Sequence, residues 1–192
     1  MTARTRRSHP LAGVAPLSPR RKWRAILLAT LLWAPGYWAM VAGLVSLASD
    51  EPEQPFAAPY IAFGLALIPF VFLVLAIMSE HPRAPGAVLR AMALSLLVGI
   101  PVSAIASDAV TGLVAGLGAG GIVALRADVA HSWKARAAAV AVVTIYSAFL
   151  LRAVTDVALV IGPALPFTIL GIADHLSERQ QDRRAAVRQP GR

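Results

Sequence analysis

Cysteine is absent from this chain of 192 residues. Disulfide bonds, thiolate metal sites and a cysteine nucleophile are therefore excluded. Charged residues are also scarce, at 15% of the chain against 57% hydrophobic residues, and the mean hydropathy is +0.66. A water-soluble domain of this length does not hide so much apolar surface. The composition predicts an all-α membrane protein.

Six apolar runs are long enough, or nearly long enough, to cross a bilayer as helices. Together they predict one helical membrane domain at 25–173, built as a bundle with short loops. Residues 1–24 form a basic, largely disordered tail, and residues 174–192 form a charged tail. The first run is too long for a cleaved signal sequence and is expected to remain as an anchor. The predicted spans are 25–47, 57–78, 91–107, 109–125, 137–151 and 157–173.

The positions of the basic residues predict the orientation of the bundle. Seven of the 18 Lys and Arg residues lie in 1–24, and ten more lie in 79–90, 126–136 and 174–192. Only Arg152 falls on the other side of a six-span bundle. Because Lys and Arg collect on the cytoplasmic side, both termini are predicted to be cytoplasmic, in a bacterial-type plasma membrane. The net charge of +8 is thus expected to contact anionic lipid head groups, and not nucleic acid.

Small residues recur every four positions in the third and fourth runs, on either side of Asp108. A four-residue step returns to nearly the same helical face, so each run presents one smooth side. Small faces of this kind mark helix interfaces in membranes, and they predict a packed transmembrane hairpin. In an alternative with four spans, 91–125 enters the membrane as a re-entrant hairpin. The predicted packing residues are Ala91, Ser95, Gly99, Ser103, Gly112, Gly116, Gly120 and Ala124.

No motif in the sequence predicts catalysis. Gly116, Gly118 and Gly121 match the G-x-G-x-x-G pattern of dinucleotide-binding proteins, but they lie inside an apolar run with no strand before it. The histidines lack the spacing that places two metal ligands on one helix face, and no serine lies in a nucleophile elbow. The expectation is therefore a protein that is not an enzyme and has no cofactor and no metal.

Five residues are candidates for a ligand or polar site. Trp33 and Trp38 flank Pro35 inside the first span, where they either line a cavity at a kink or fill space beside small residues. Asp108, Arg152 and Asp156 are ionisable residues at the predicted turns. Asp108 is placed to cap the following helix, and Arg152 and Asp156 have the i,i+4 spacing of a helical ion pair. If these turns lie below the membrane surface, the three form an outward-facing polar site.

Two functions fit these features. The first is a non-enzymatic membrane subunit or scaffold, whose small-residue faces pack within the bundle and against a membrane protein partner. The second is a component that transports a small solute. In size and topology only, the chain is similar to the substrate-binding subunits of energy-coupling-factor transporters, and this likeness implies a transport role without assigning a residue to it.

Overall fold

A computed structural model describes residues 18–48, 56–126 and 133–188. Within these residues the chain is all-helical, which confirms the all-α part of the predicted fold class. The seven helices are α1 (Pro19–Ala48), α2 (Ala57–Met78), α3 (Ala84–Ala106), α4 (Ala109–Ala124), α5 (Trp133–Ala153), α6 (Thr155–Ile161) and α7 (Leu165–Arg188).

Four of these helices, α1, α2, α3 and α5, are long and apolar enough to cross a membrane. Helices α6 and α7 pass the same test together, but they are bent by 67° at the break between them. The structure therefore supports a membrane protein with four candidate spans among the described residues, or five if the bent pair is one span. Helix α4 has 16 residues, about 24 Å, and is shorter than an ordinary span. The count of six stays a prediction.

The helices extend beyond several predicted boundaries. Helix α1 begins at Pro19, inside the predicted tail 1–24, because the carbonyl of Ser18 accepts hydrogen bonds from the first turn and proline suits the first helical position. Helix α7 continues past the predicted end at 173 to Arg188. Residues 1–17 and 189–192, which make up the rest of the two predicted tails, lie outside the described residues.

Successive long helices run in opposite directions between two ends of the bundle. At the Asp108 end, α3 ends and α4 begins, and Arg152 near the end of α5 reaches the carbonyl of Ala106. At the Asp174 end, Lys22 of α1 contacts Asp174 of α7. The start of α1 and the Asp174 region of α7 therefore lie at the same end.

Helix α4 occupies the centre of the bundle. It packs against α2, α3, α5 and α7, and twelve of its 16 residues are buried. Helix α1 packs against both α2 and α7 and so joins these two helices. Helices α3 and α5 lie on either side of α4 and make at most marginal contact with each other. The ring around α4 is consequently open between α3 and α5.

Glycine allows α3 and α4 to approach until their backbones touch. A Cβ atom added to Gly116 would lie 2.6 Å from the carbonyl oxygen of Ser95, and one added to Gly112 would lie 2.5 Å from Cβ of Ser103. These separations are below van der Waals contact, so only glycine fits at either position without a shift of the backbone. The structure thus places these parts of the two small-residue stripes opposite each other.

Two prolines, Pro163 and Pro166, lie at the break between α6 and α7. Pro163 has no N–H to donate to the carbonyl of Leu159, which lies four residues earlier. The indole Nε1 of Trp38 donates to this carbonyl instead, with an N···O distance of 3.0 Å. The hydroxyl of Tyr37 donates to the carbonyl of Ala158 at 3.2 Å. Side chains of α1 therefore satisfy backbone groups at the break, as a membrane interior requires.

Replacing Trp38 by Phe should destabilise the protein by about 1 kcal/mol, because the carbonyl of Leu159 loses its donor while the aromatic ring is retained. We expect the melting temperature of the detergent-purified protein to fall by about 3 °C. Trp133→Phe is the matched control, since Trp133 is an exposed tryptophan at the other end of the bundle. Equal melting temperatures for the two variants would contradict a role for the indole hydrogen bond.

Candidate functional site

The structure separates the five predicted ligand or polar residues. Asp108 and Arg152 line one cavity, whereas Asp156 lies exposed in the first turn of α6 and is not part of its lining. Trp33 is completely buried in the core, and Trp38 is 52% exposed beside α6. The tryptophans and the ionisable residues therefore belong to different places.

The cavity lies at the Asp108 end, in the opening between α3 and α5. Its volume is about 350 Å³, within the usual range for small-molecule sites. The end of α3, the first turn of α4 and the last turns of α5 form its walls. Its lining residues are Ala106, Ser107, Asp108, Thr111, Ala148, Leu151 and Arg152.

Asp108 is fixed in this cavity because it caps α4. Ser107 ends α3 in the left-handed conformation, with φ of 53°, and Asp108 then adopts an extended backbone. One carboxylate oxygen, Oδ1, accepts from the amide of Val110 at 3.1 Å, and Oδ2 accepts from the amide of Thr111 at 2.8 Å. The hydroxyl of Thr111 also donates to Oδ2. The carboxylate is thus held rigidly, as the sequence predicts for a capping residue.

Arg152 reaches the same cavity from α5. Its Nη2 donates to the carbonyl of Ala106 at 3.3 Å. Within residues 133–188 no ion pair joins Arg152 to Asp156, so the predicted i,i+4 pair does not form. The reason is a break in the helix: α5 ends at Ala153, and Val154 has a non-helical backbone with φ of −148° and ψ of 76°. The guanidinium therefore turns toward α3.

A buried hydroxyl lies at the level of the cavity. Gly118 of α4 packs against Val140 of α5, and the two helices run in opposite directions. Ser147 follows Val140 by seven residues, and Thr111 precedes Gly118 by seven. In this antiparallel register Ser147 and Thr111 therefore lie at the same level. Ser147 is 3% exposed, and its hydroxyl has no hydrogen-bond partner among the described residues. Ser147 is not among the residues that line the cavity.

Trp33 and Tyr37 fill space in the core. Their rings meet edge to face, with centroids 6.5 Å apart, and neither ring lines the cavity. A Cβ atom on Gly36 would lie 3.0 Å from Cδ1 of Leu67 and 3.3 Å from the Trp33 ring. Of the two interpretations of the Trp33 to Trp38 segment, the contacts favour aromatic side chains that fill space beside small residues.

A second polar cluster, at the Asp174 end, escaped the sequence analysis. Arg136 donates to both oxygens of Asp174, from Nε at 2.9 Å and from Nη2 at 2.7 Å. Lys22 Nζ lies 2.8 Å from the same carboxylate and 2.6 Å from Glu178. The side chains of Lys22, Arg136 and Asp174 are 3–7% exposed, whereas that of Glu178 is 45% exposed. This buried ion-pair cluster joins α1, α5 and α7.

The same end holds the last carbonyls of α4. Arg136 donates from Nη1 to the carbonyl of Leu125 at 2.9 Å, and the hydroxyl of Ser79 donates to the carbonyl of Ala124 at 3.0 Å. Arg126 donates to the carbonyl of Ser79 at 3.2 Å. Because the end of a helix leaves carbonyls unpaired and carries partial negative charge, these donors fix the position of α4.

The sequence offered a signal for this cluster. Arg136 and Asp174 stand directly beside apolar runs, and Lys22 lies three residues before one, all on the side where the predicted topology has both tails. Charged residues at the ends of spans are usually solvated, and on that interpretation they are not expected to form ion pairs. The signal for an ion-pair cluster is that these span ends carry opposite charges.

The remaining sequence motifs contribute to packing and hydrogen bonding. In the G-x-G-x-x-G pattern, Gly118 packs against Val140 and Gly121 packs against Leu170, so these glycines are helix-packing residues. His81 is buried after α2, and its Nδ1 accepts from the amide of Arg83 at 3.2 Å. In 18–48, 56–126 and 133–188 no group of three or more His, Asp or Glu residues could hold a metal ion. His131 lies outside the described residues.

No family model, no curated protein and no solved structure matches the chain.

Proposed function

We propose that this chain is a non-enzymatic integral membrane protein that crosses a bacterial-type plasma membrane six times and serves as a subunit or scaffold. The observation that carries the proposal is the enclosure of α4. An apolar, glycine-rich helix surrounded by four others fills the centre of the bundle, and its backbone contacts with α3 leave less room than a methyl group needs. Such a centre suits a rigid membrane body.

The alternating helix directions support six crossings. They place the start of α1 and the Asp174 region of α7 at one end, and most basic residues collect at that end. This distribution favours a cytoplasmic Asp174 end. Among the basic side chains there, Arg20, Arg24 and Lys134 are exposed, as contact with anionic lipid head groups requires.

The outer surface supports contact with lipid along the sides of the bundle. Helix α3 buries only Ala87 and Ala91, and aliphatic side chains cover its other faces. A bilayer solvates such a surface, whereas water does not. The large exposed residues of α3 are Leu89, Leu96, Leu97, Ile100 and Ile105.

The crossing pattern can be tested with single cysteines, because the chain contains none. In spheroplasts, a membrane-impermeant maleimide should label Ser107→Cys, whereas Arg83→Cys should react only after the membrane is opened. Gln54→Cys, in the predicted loop after the first span, is the matched outer control. Labelling of Gln54→Cys without Ser107→Cys would contradict six crossings and favour the re-entrant hairpin.

The subunit role is tested by native mass spectrometry of the protein extracted from its own membrane in mild detergent. A second polypeptide in fixed stoichiometry is the expected result. A lone chain that carries a small-molecule adduct would contradict it and favour the second candidate, a small-solute transport component. The observation in favour of that candidate is the cavity at the Asp108 end, which has ligand size and contains charged groups.

A further inference from the structure

The cavity at the Asp108 end carries one positive and one negative group on different helices. Arg152 comes from α5 and Asp108 from the start of α4, and the remaining lining is hydroxyl and apolar. A site with this pair is electrically balanced. It therefore suits a ligand that itself carries both charges, more than it suits a simple anion or cation.

Arg152 has donors to spare. A guanidinium carries five N–H donors. Among the described residues only the carbonyl of Ala106 accepts from Arg152, and its 3.3 Å distance is long for a hydrogen bond. Guanidinium groups with free donors are suited to phosphate and carboxylate oxygens, which they bind with two parallel hydrogen bonds.

Asp108 has acceptor capacity to spare, although it caps α4. Its Oδ1 accepts one hydrogen bond, from the amide of Val110, while Oδ2 accepts two from Thr111. A carboxylate oxygen has room for two donors, so Oδ1 keeps one open acceptor position. An ammonium group supplies both the donor and the charge that this position favours.

We infer that this cavity binds a zwitterion, with its phosphate or carboxylate on Arg152 and its ammonium on Asp108. The inference rests on the proposed membrane embedding. Helices α3 and α5, which both line the cavity, make at most marginal contact with each other, and Ala106, Ala148 and Leu151 give the cavity an apolar wall. An ethanolamine phospholipid therefore has a lateral route of entry, while a free zwitterion of the same chemistry has access from the aqueous side.

The test is native mass spectrometry of the purified full chain with three probes: dioleoyl-phosphatidylethanolamine, dioleoyl-phosphatidylglycerol and soluble glycerophosphoethanolamine. Arg152→Gln should weaken phosphatidylethanolamine binding about tenfold, because a charge-assisted contact is lost. Arg90→Gln is the matched control and should bind like the wild type. Arg90 is also an exposed arginine that donates to a single carbonyl, that of Gly86, but it lies outside the cavity.

A second variant tests the ammonium contact while part of the helix cap is kept. The single Oδ1 of asparagine can still accept from the amide of Thr111, and only the acceptor used by the amide of Val110 is lost. Because asparagine is a good capping residue, Asp108→Asn should stay folded while the cavity becomes positively charged. The preference should then shift from phosphatidylethanolamine toward phosphatidylglycerol. Unchanged preference in Asp108→Asn, or equal phosphatidylethanolamine binding by Arg152→Gln and Arg90→Gln, would overturn the inference.

The soluble probe identifies the source of the ligand. Binding of the phospholipid without binding of glycerophosphoethanolamine assigns the site to a lipid head group, and displacement of the phospholipid by glycerophosphoethanolamine assigns it to a free zwitterion. The cysteine labelling of Ser107→Cys reports membrane crossing independently. Failure of the zwitterion inference is therefore distinguishable from failure of the proposed function.

Discussion

Replacing Asp174 by Asn should lower the melting temperature of the purified protein by about 10 °C. The substitution keeps the shape of the side chain but removes the negative charge that Lys22 and Arg136 share. Arg136 stays buried and loses this carboxylate, and Lys22 keeps only the contact with the half-exposed Glu178. A buried charge that loses its partner costs roughly 3–5 kcal/mol. For a chain of this length, each kcal/mol corresponds to about 2–4 °C. The loss should be measured by thermal unfolding in mild detergent, together with the monodisperse yield.

Glu178→Gln is the matched control for Asp174→Asn. Glu178 contacts the same lysine at 2.6 Å, but its side chain is 45% exposed. Water screens that contact, so its removal should cost less than about 1 kcal/mol. Similar melting temperatures for the two variants would show that burial does not determine the contribution of this cluster.

Adding Lys22→Met to Asp174→Asn should restore part of the lost stability. Methionine fills the volume of the lysine stem and removes one of the two buried cations, the one whose remaining partner is the half-exposed Glu178. The double variant should therefore melt at a higher temperature than Asp174→Asn alone. A further decrease would contradict the explanation by unpaired charge and point to lost packing.

The sequence predicts where helices form because length and hydropathy are local properties. All six apolar runs are helical, and Pro163 indicates the break in the last one. The direction of that break is not local. It depends on Trp38 and Tyr37, which lie more than one hundred residues earlier and donate to the carbonyls near the break. Hydropathy contains no signal for such a pairing.

The candidate site was predictable to the same limited degree. Asp108 was identified correctly as a helix cap because an acidic residue before a helix start is a local signal. Its neighbour in the cavity, Arg152, is contributed by a different helix, and its orientation depends on the non-helical backbone of Val154. That backbone also separates Asp156 from Arg152. The i,i+4 spacing brings two side chains together only where the helix between them is unbroken.

Gly116→Leu should nearly abolish the folded, monodisperse protein. The first added carbon would lie 2.6 Å from the carbonyl oxygen of Ser95 and 3.3 Å from Cα of Gly99, so the side chain meets the backbone of α3 and not a flexible group. Helices α3 and α4 must separate to admit it. Overpacking of a well-packed core costs about 1–3 kcal/mol even where side chains can move, and here backbone must move. Gly116→Ala should therefore also destabilise, although alanine favours helices by about 1 kcal/mol.

The matched control for Gly116 is Gly86, in the first turn of α3. A Cβ atom on Gly86 would have no neighbour within 4 Å, so Gly86→Leu adds the same side chain without a contact. It should leave the yield unchanged and raise the stability slightly, because leucine favours helices more than glycine does. The comparison separates close approach from the general effect of removing glycine. If Gly116→Leu behaved like Gly86→Leu, α3 and α4 would not touch at Gly116, and α4 would not be enclosed as the proposed function requires.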